Sequence, residues 1–233
     1  MIYNVLDSSQ KTSSHQPSES TVQIAAGYGS GFYGRRGKRV LDVAGAITLL
    51  LLFSPIILVI SLLQLTQAGG VLFTHTRIGR FGEEFGCLKF RTMAPDADQR
   101  LKNLLDSDLG AREEWRDTRK LTDDPRITGL GNLLRRSSMD ELPQLLNVLR
   151  GEMSLVGPRP VTASELSKYG EARHSYLALR PGLTGKWQVS GRNDVSYDER
   201  VQLDQAYASN LGLLVDLTIL VQTVAVVLGA TGR

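Results

Sequence analysis

Cysteine and histidine are scarce in this chain: one cysteine, Cys87, and three histidines stand among 233 residues. A lone thiol excludes an intramolecular disulfide and fits a reducing compartment. No Cys/His cluster with zinc-ligand spacing occurs in the sequence, so zinc is not expected. Charge imbalance is slight as well, a formal +3 with 22% charged residues. Such an excess suits an anionic membrane face or a phosphorylated substrate, and it equally suits a charge of no consequence. No internal repeat is present. The glycines at Gly79, Gly82 and Gly86 sit outside any strand-turn-helix unit, which makes them turn residues and not a dinucleotide loop. A secretory signal is disfavoured too, because a long segment precedes the first apolar run and no small-residue cleavage site follows it.

What the chain does have is one long apolar run. Residues 40–65, about 26 in number with Asp42 as the only charge, are enough to cross a hydrocarbon core as a helix. Ser54-Pro55 stands at its midpoint. Proline removes a backbone hydrogen bond and crowds the preceding turn, so a bend is expected there, with the Ser54 hydroxyl available to the freed carbonyl. The flanks are basic on both sides, Arg35, Arg36, Lys38 and Arg39 before the run and Arg77 and Arg80 after it. That leaves little of the asymmetry that fixes a spanning orientation. The flanks favour a re-entrant hairpin with both ends cytoplasmic. Composition alone still permits a spanning anchor with a tolerated kink, while the run is longer than ordinary buried core helices.

Three regions follow. Residues 1–36, rich in Ser, Gln, Thr and Gly, read as a disordered tail. Residues 37–68 hold the membrane element and residues 69–233 a polar domain. In the domain, residues 71–76 read as a strand, continued by a hairpin to Cys87-Leu88-Lys89-Phe90. Between Asp96 and Lys120, the spacing of Leu101, Leu104, Leu105, Leu109 and Trp115 predicts an amphipathic helix or helix pair. Residues 126–151 and 161–179 read as two further helical regions. Residues 213–228 are apolar but interrupted by Asp216, Thr218, Gln222 and Thr223, as expected of a helix lying in the membrane interface or packed on the domain. The fold class is α+β, mainly helical, since strand and helix signals alternate too rarely for a doubly wound sheet.

The chemistry gathers in a few short segments. Ser138-Met139-Asp140-Glu141 places adjacent carboxylates at an expected helix start. Spacing alone favours a structural explanation, a Ser138/Glu141 capping box with acids facing the helix dipole. The alternative is a carboxylate oriented as a nucleophile or metal ligand, with a phosphate held nearby. The neighbours are cationic: Arg135 and Arg136, then Gly157-Pro158-Arg159-Pro160, Arg180-Pro181-Gly182-Leu183-Thr184-Gly185 and Gly191-Arg192-Asn193. An arginine held in a rigid turn presents a fork that binds phosphate oxygens at two points. Singly each is unremarkable; together around one acidic segment they suggest a pyrophosphate-handling site.

These segments, with Lys38-Arg39-Val40-Leu41-Asp42, Ser54-Pro55 and Lys89-Phe90-Arg91-Thr92-Met93, follow the order found in the bacterial sugar transferase family. The chain resembles that family, the monotopic polyprenyl-phosphate phosphoglycosyl transferases, from about Lys38 to its C-terminus, in the minimal form. The resemblance implies that Asp140 attacks the β-phosphate of a UDP-sugar, forms a phosphosugar-aspartyl intermediate and passes a hexose 1-phosphate, of glucose or galactose, to undecaprenyl phosphate. It implies Mg2+ at Asp140, catalysis assisted by Glu141, and phosphate binding by Lys89, Arg159 and Arg192. Asp204, Arg135 and Arg180 are additional site candidates, and Ser54 and Pro55 match the break of a re-entrant membrane helix. Inner-membrane lipids and a second copy of the chain are implied partners, nucleic acid is not, and the catalytic domain is expected on the cytoplasmic face. A nonenzymatic membrane scaffold that has kept the fold, and a hydrolase using water as acceptor, are the competing expectations.

Overall fold

The computed structural model describes residues 32–191 and 195–229. Most of the expected tail, and Arg192, lie outside them. A π-helical turn, Tyr33–Gly37, leads into α1, Lys38–Leu65. The hairpin strands β1, Leu72–Ile78, and β2, Glu84–Phe90, come next, followed by α2, Ala97–Ser107, and α3, Leu109–Thr118. Helices α4, Gly129–Arg136, and α5, Gln144–Arg150, precede β3, Ser154–Val156. Short helices α6, Ala163–Leu166, and α7, Arg173–Leu177, lead to β4, Gly182–Thr184. The chain continues through α8, Lys186–Val189, and α9, Tyr197–Ser209, to α10, Leu213–Leu228. The architecture is mainly helical α+β, the expected helix pair between Asp96 and Lys120 is formed, and β1 and β2 pair antiparallel with Cys87 opposite His75.

Helix α1 is long and apolar enough to cross a membrane, and only 11% of its most apolar window is buried, so it is no core helix. It continues through Ser54-Pro55 as one helix. The Ser54 hydroxyl donates to the Leu51 carbonyl at 2.8 Å, the acceptor that the missing proline N–H would have used. One stripe packs on the domain: Asp42, Ala46, Ile60 and Gln64 are buried, and Leu49, Leu50, Ile56 and Ile57 are partly so. The opposite face, with Ile47, Leu51, Leu52, Leu58, Val59 and Leu62, is exposed and apolar.

Both ends of α1 are tied to the same domain. At the start, Asp42 accepts hydrogen bonds from Ser154 Oγ and Leu155 N at 2.8 and 2.9 Å, and Lys38 pairs with the fully buried Asp216 of α10 at 2.7 Å. At the far end, Gln64 Nε2 donates to the Arg91 carbonyl at 2.6 Å. Straight, 28 residues would separate these ends by about 40 Å, comparable with the diameter of a domain this size.

The main core joins α1, β2, α5, β3 and α10 through Ala46, Phe85, Leu145, Val148, Leu155 and Ile219. Each of these side chains larger than alanine contributes about 1.5–3 kcal/mol when fully buried. A feature not anticipated from sequence is the parallel pair β3 and β4, Ser154 opposite Gly182 and Val156 opposite Thr184. Each strand has three residues and one of them opens on glycine, which gives no periodic signal. The glycines explain the two Gly/Pro motifs in part. A Cβ on Gly182 would lie 2.1 Å from Gly157 N, and one on Gly185 would lie 2.1 Å from Gly157 O. The two loops cross with backbone against backbone, which leaves no room for side chains.

Candidate active site

Asp140 and Glu141 lie on a 3-10 turn, Met139–Glu141, between α4 and α5, and not in the first turn of a longer helix. The predicted capping box is not formed. Ser138 has φ +57°, the left-handed conformation that side chains resist, and its hydroxyl caps nothing. That residue separates α4 from the 3-10 turn that carries the two acids. Met139 and Leu142, on either side of the two acids, pack into the same apolar cluster as Ile56, Ile57 and Ile60 of α1. The carboxylate pair is therefore flanked by residues of the apolar cluster that the second half of the long apolar helix joins.

The charges are contributed by β2 and α4. Lys89 Nζ, near the end of β2, donates to Glu141 Oε1 at 2.6 Å and lies 3.7 Å from Asp140 Oδ2. Burial pulls the Lys89 pKa down, but Glu141 and Asp140 outweigh it and leave the ammonium favoured. Asp140 itself is buried, 8% exposed. Burial pushes its pKa up, Glu141 adds to the effect, and Lys89 and Arg135 oppose it. Arg135 is steadied by Thr92, whose hydroxyl accepts from its Nε at 2.9 Å. Close packing makes that contact possible, because a Cβ at Gly131 would fall 2.0 Å from the Thr92 carbonyl oxygen. The result is a desolvated carboxylate between two cations, an arrangement able to attack an electrophile whose own charge the cations offset.

The remaining expected residues divide into two other groups. Arg159 lies over the Trp187 ring at 5.1 Å, and Arg200 lies over the same ring at 4.9 Å. Asp204, 4% exposed, accepts from the Tyr169 hydroxyl at 2.9 Å, while its second oxygen has no hydrogen-bond partner. Burial pushes its pKa up to about 7, against the pull of Tyr169, Arg159 and Arg200. Arg180 is held at the other end of α5, where its Nε donates to the Gly151 carbonyl at 2.7 Å. Arg192 falls outside the described residues. Among the described residues no group of three or more His, Cys, Asp or Glu side chains is arranged to hold a metal ion.

Sequence reasoning missed Trp187, Arg200 and Tyr169, which meet from three separate segments with no spacing to connect them. Thr92 could have been found, since it stands inside the Lys-Phe-Arg-Thr-Met motif with a hydroxyl in an otherwise apolar and basic run.

A family model described as "Bacterial sugar transferase" matches residues 33–230. The exopolysaccharide production protein ExoY of Sinorhizobium fredii is 52% identical over 195 residues, covering 83% of this chain and 86% of that one. The undecaprenyl-phosphate galactose phosphotransferase of Salmonella typhimurium is 46% identical over 195 residues, 84% of this chain but 41% of the longer relative. The UDP-glucose:undecaprenyl-phosphate glucose-1-phosphate transferase of Caulobacter vibrioides is 39% identical over 201 residues, 80% of this chain and 68% of the relative.

Proposed function

The chain belongs to the bacterial sugar transferase family, and from that premise we propose that it moves a hexose 1-phosphate, of glucose or galactose, from a UDP-sugar to undecaprenyl phosphate and so starts exopolysaccharide assembly. The observation that carries the reading is the Asp140 carboxylate, desolvated beside Lys89 and Arg135 on a turn whose flanking residues share an apolar cluster with α1. A lipid phosphate stays at the membrane surface, and a nucleotide sugar arrives from solution. The reacting carboxylate must meet both, and a turn packed on the apolar helix is suited to that meeting.

In the first step an Asp140 oxygen attacks the sugar-bearing phosphorus, the bond from that phosphorus to the UMP oxygen breaks, and UMP leaves with the electron pair. In the second, a phosphate oxygen of undecaprenyl phosphate attacks the same phosphorus, and the Asp140 carboxylate departs unchanged. Lys89 and Arg135 hold positive charge where the phosphoryl oxygens gather negative charge, and Arg159 does so from the loop crossing. Glu141 keeps Lys89 protonated and directed at the pair.

Magnesium suits these residues. A hard cation that keeps several waters needs one or two carboxylates besides substrate phosphates, and Asp140 and Glu141 supply them. The Lys89 ammonium within 2.6 Å of Glu141 and 3.7 Å of Asp140 marks the place as one that favours positive charge. Held there, the ion would supply Lewis-acid polarisation of phosphoryl oxygens.

Contacts of both ends of α1 with one domain support a re-entrant helix with that domain on the cytoplasmic face of the inner membrane. A helix crossing to the far leaflet would carry one end away from it. The exposed apolar stripe of α10, with Leu214, Leu217, Val221 and Val224, supports an interfacial helix beside it.

The test is intact mass after incubation of the nanodisc-held protein with Mg2+ and a panel of UDP-sugars, without lipid acceptor. The expected result is a gain of one hexose phosphate for one donor, absent in Asp140→Asn. Release of UMP in the presence of lipid without any adduct would overturn the aspartyl step, and no UMP with any donor would overturn the transferase reading.

A further inference from the structure

Three arginines from separate parts of the chain meet the C-terminal ends of two short helices, α5 and α7. Arg39, in the first turn of α1, donates from Nη1 to the Val148 carbonyl at 2.6 Å and from Nη2 to the Leu149 carbonyl at 2.8 Å. Arg180 donates from Nε to Gly151, as described. Arg80, in the hairpin turn, donates from Nε to the Ala178 carbonyl at 2.9 Å, and its guanidinium lies over the Phe81 ring at 4.4 Å.

Helix C-termini attract cations, and that accounts for an arginine at each end. It does not account for the company these residues keep. Among the described residues none of the three forms an ion pair with a carboxylate. They lie beside one another instead: a Cβ on Gly151, whose carbonyl accepts from Arg180 Nε, would lie 3.6 Å from Arg39 Nη2, and Ala178, whose carbonyl accepts from Arg80, stands two residues before Arg180. Burial and then the charge of Arg180 hold Arg80 below its ordinary pKa, and burial and then Arg39 do the same to Arg180. The carboxylate that Arg180 does feel, that of Asp42, is already engaged by Ser154 and Leu155. Only Nε of Arg80 and of Arg180 is used, so the outer nitrogens of both forks donate to no protein oxygen among the described residues.

Three like charges against the one carboxylate of Asp42, with two forks open, match a phosphate oxyanion. Arg39 stands where the apolar face of α1 begins, which on the membrane reading given above is headgroup level. We propose that Arg39, Arg80 and Arg180 bind the phosphate of an anionic phospholipid headgroup. The site is distinct from the reacting centre, where the charges acting on Asp140 are those of Lys89, Glu141 and Arg135. Its lipid would fix the depth and tilt of the first half of α1 and would not be consumed.

Native mass spectrometry of the full chain, released from nanodiscs of equal phosphatidylcholine and phosphatidylglycerol, tests this. The parent should retain phosphatidylglycerol several-fold over phosphatidylcholine. Arg80→Gln should bring the ratio near one while UMP release in detergent with saturating substrates is unchanged. Arg173→Gln, at an exposed arginine outside the cluster, should keep the parent ratio. A second measurement covers any damage to the hairpin: phosphatidylglycerol should raise the Tm of the parent and of Arg173→Gln, and raise that of Arg180→Lys, which keeps the charge but loses the fork, by less. No preference in the parent, or an equal loss in Arg173→Gln, would overturn the site. Stabilisation by inorganic phosphate without lipid preference would overturn the headgroup as its source. UMP release is read separately, so failure of the transferase reading would be visible on its own.

Discussion

Asp140 and Asp204 are both buried aspartates with arginines nearby, but the structure treats their carboxyl groups differently. Asp140 faces Lys89 and Arg135 on an irregular turn, with a half-exposed Glu141 beside it and apolar contacts to α1. Asp204 projects from the middle of α9, is bonded to the Tyr169 hydroxyl, and lies under two arginines that are themselves stacked on Trp187. Both pKa values are raised by burial, yet an ammonium stands within 4 Å of Asp140 and no ion pair is made by Asp204 among the described residues. Burial alone therefore does not mark a nucleophile. What distinguishes Asp140 is the ammonium of Lys89 3.7 Å from its carboxylate, with Arg135 beside it, which is the setting that the proposed attack on a phosphate calls for.

The sharpest way to break the comparison is to neutralise each acid in turn. Asp140→Asn should lower turnover by about 10³-fold or more, the scale on which nucleophile removal is felt. Its Tm should not fall, because burial of that carboxylate opposes folding once it is ionised. If the two acids were interchangeable structural groups, both substitutions would act on stability and spare turnover. Next in size, Lys89→Gln should cost about 10²–10³-fold in turnover, the usual loss when one stabiliser of developing charge is removed. Steady-state UMP release with lipid acceptor reads both.

Asp204→Asn should act mainly through pH. The Asp204 pKa is raised to about 7 by burial, whereas an unfolded aspartate titrates near 3.9. The folded state thus holds a proton that the unfolded chain gives up, so the stability contributed is fully present below about 4 and gone once pH passes about 7. The slope between is at most about 1.4 kcal/mol per pH unit. Thermal unfolding at pH 5 and pH 8 should show the parent losing stability relative to Asp204→Asn as pH rises. A constant difference across that range would show that Asp204 stays ionised throughout, and the contrast with Asp140 would have to rest on geometry alone.

The ends and chemistry of α1, the hairpin and α10 are legible in sequence because each rests on a local signal: an unbroken apolar run, alternating strand residues between glycines, an apolar stretch flanked by loops. Asp140, Glu141 and Lys89 could be named from motifs, and the structure brings them together. Their local setting could not. Ser138 and Glu141 have the spacing of a capping box, but Ser138 turns left-handed and Glu141 bonds to Lys89, a partner 52 residues away, in place of its own backbone. The same holds for Arg180, whose turn motif suggests phosphate binding and whose Nε is spent on the end of α5. Spacing reports neighbours along a chain; it is silent on which of several arginines a fold will turn toward one carboxylate.

The smallest effects should come from two single hydroxyl deletions, one at each acid. Tyr169→Phe removes the side-chain donor to Asp204 Oδ2, leaving a buried carboxyl short of its strongest hydrogen bond. That should cost about 1–3 kcal/mol of stability. It should also raise the Asp204 pKa further, because the Tyr169 hydrogen bond is one of the influences that lower it. Thr92→Val removes only the acceptor that steadies Arg135, an exposed side chain whose Nε can turn to water. Stability should change by less than about 0.5 kcal/mol, while turnover falls about fivefold through a loosened Arg135, as expected for one ordinary hydrogen bond worth about 1 kcal/mol. Paired thermal unfolding and UMP release on the two variants would thus separate an acid that the fold protects from an acid that the fold presents. A loss of turnover in Tyr169→Phe as large as in Thr92→Val, without loss of stability, would move Asp204 from the first kind to the second.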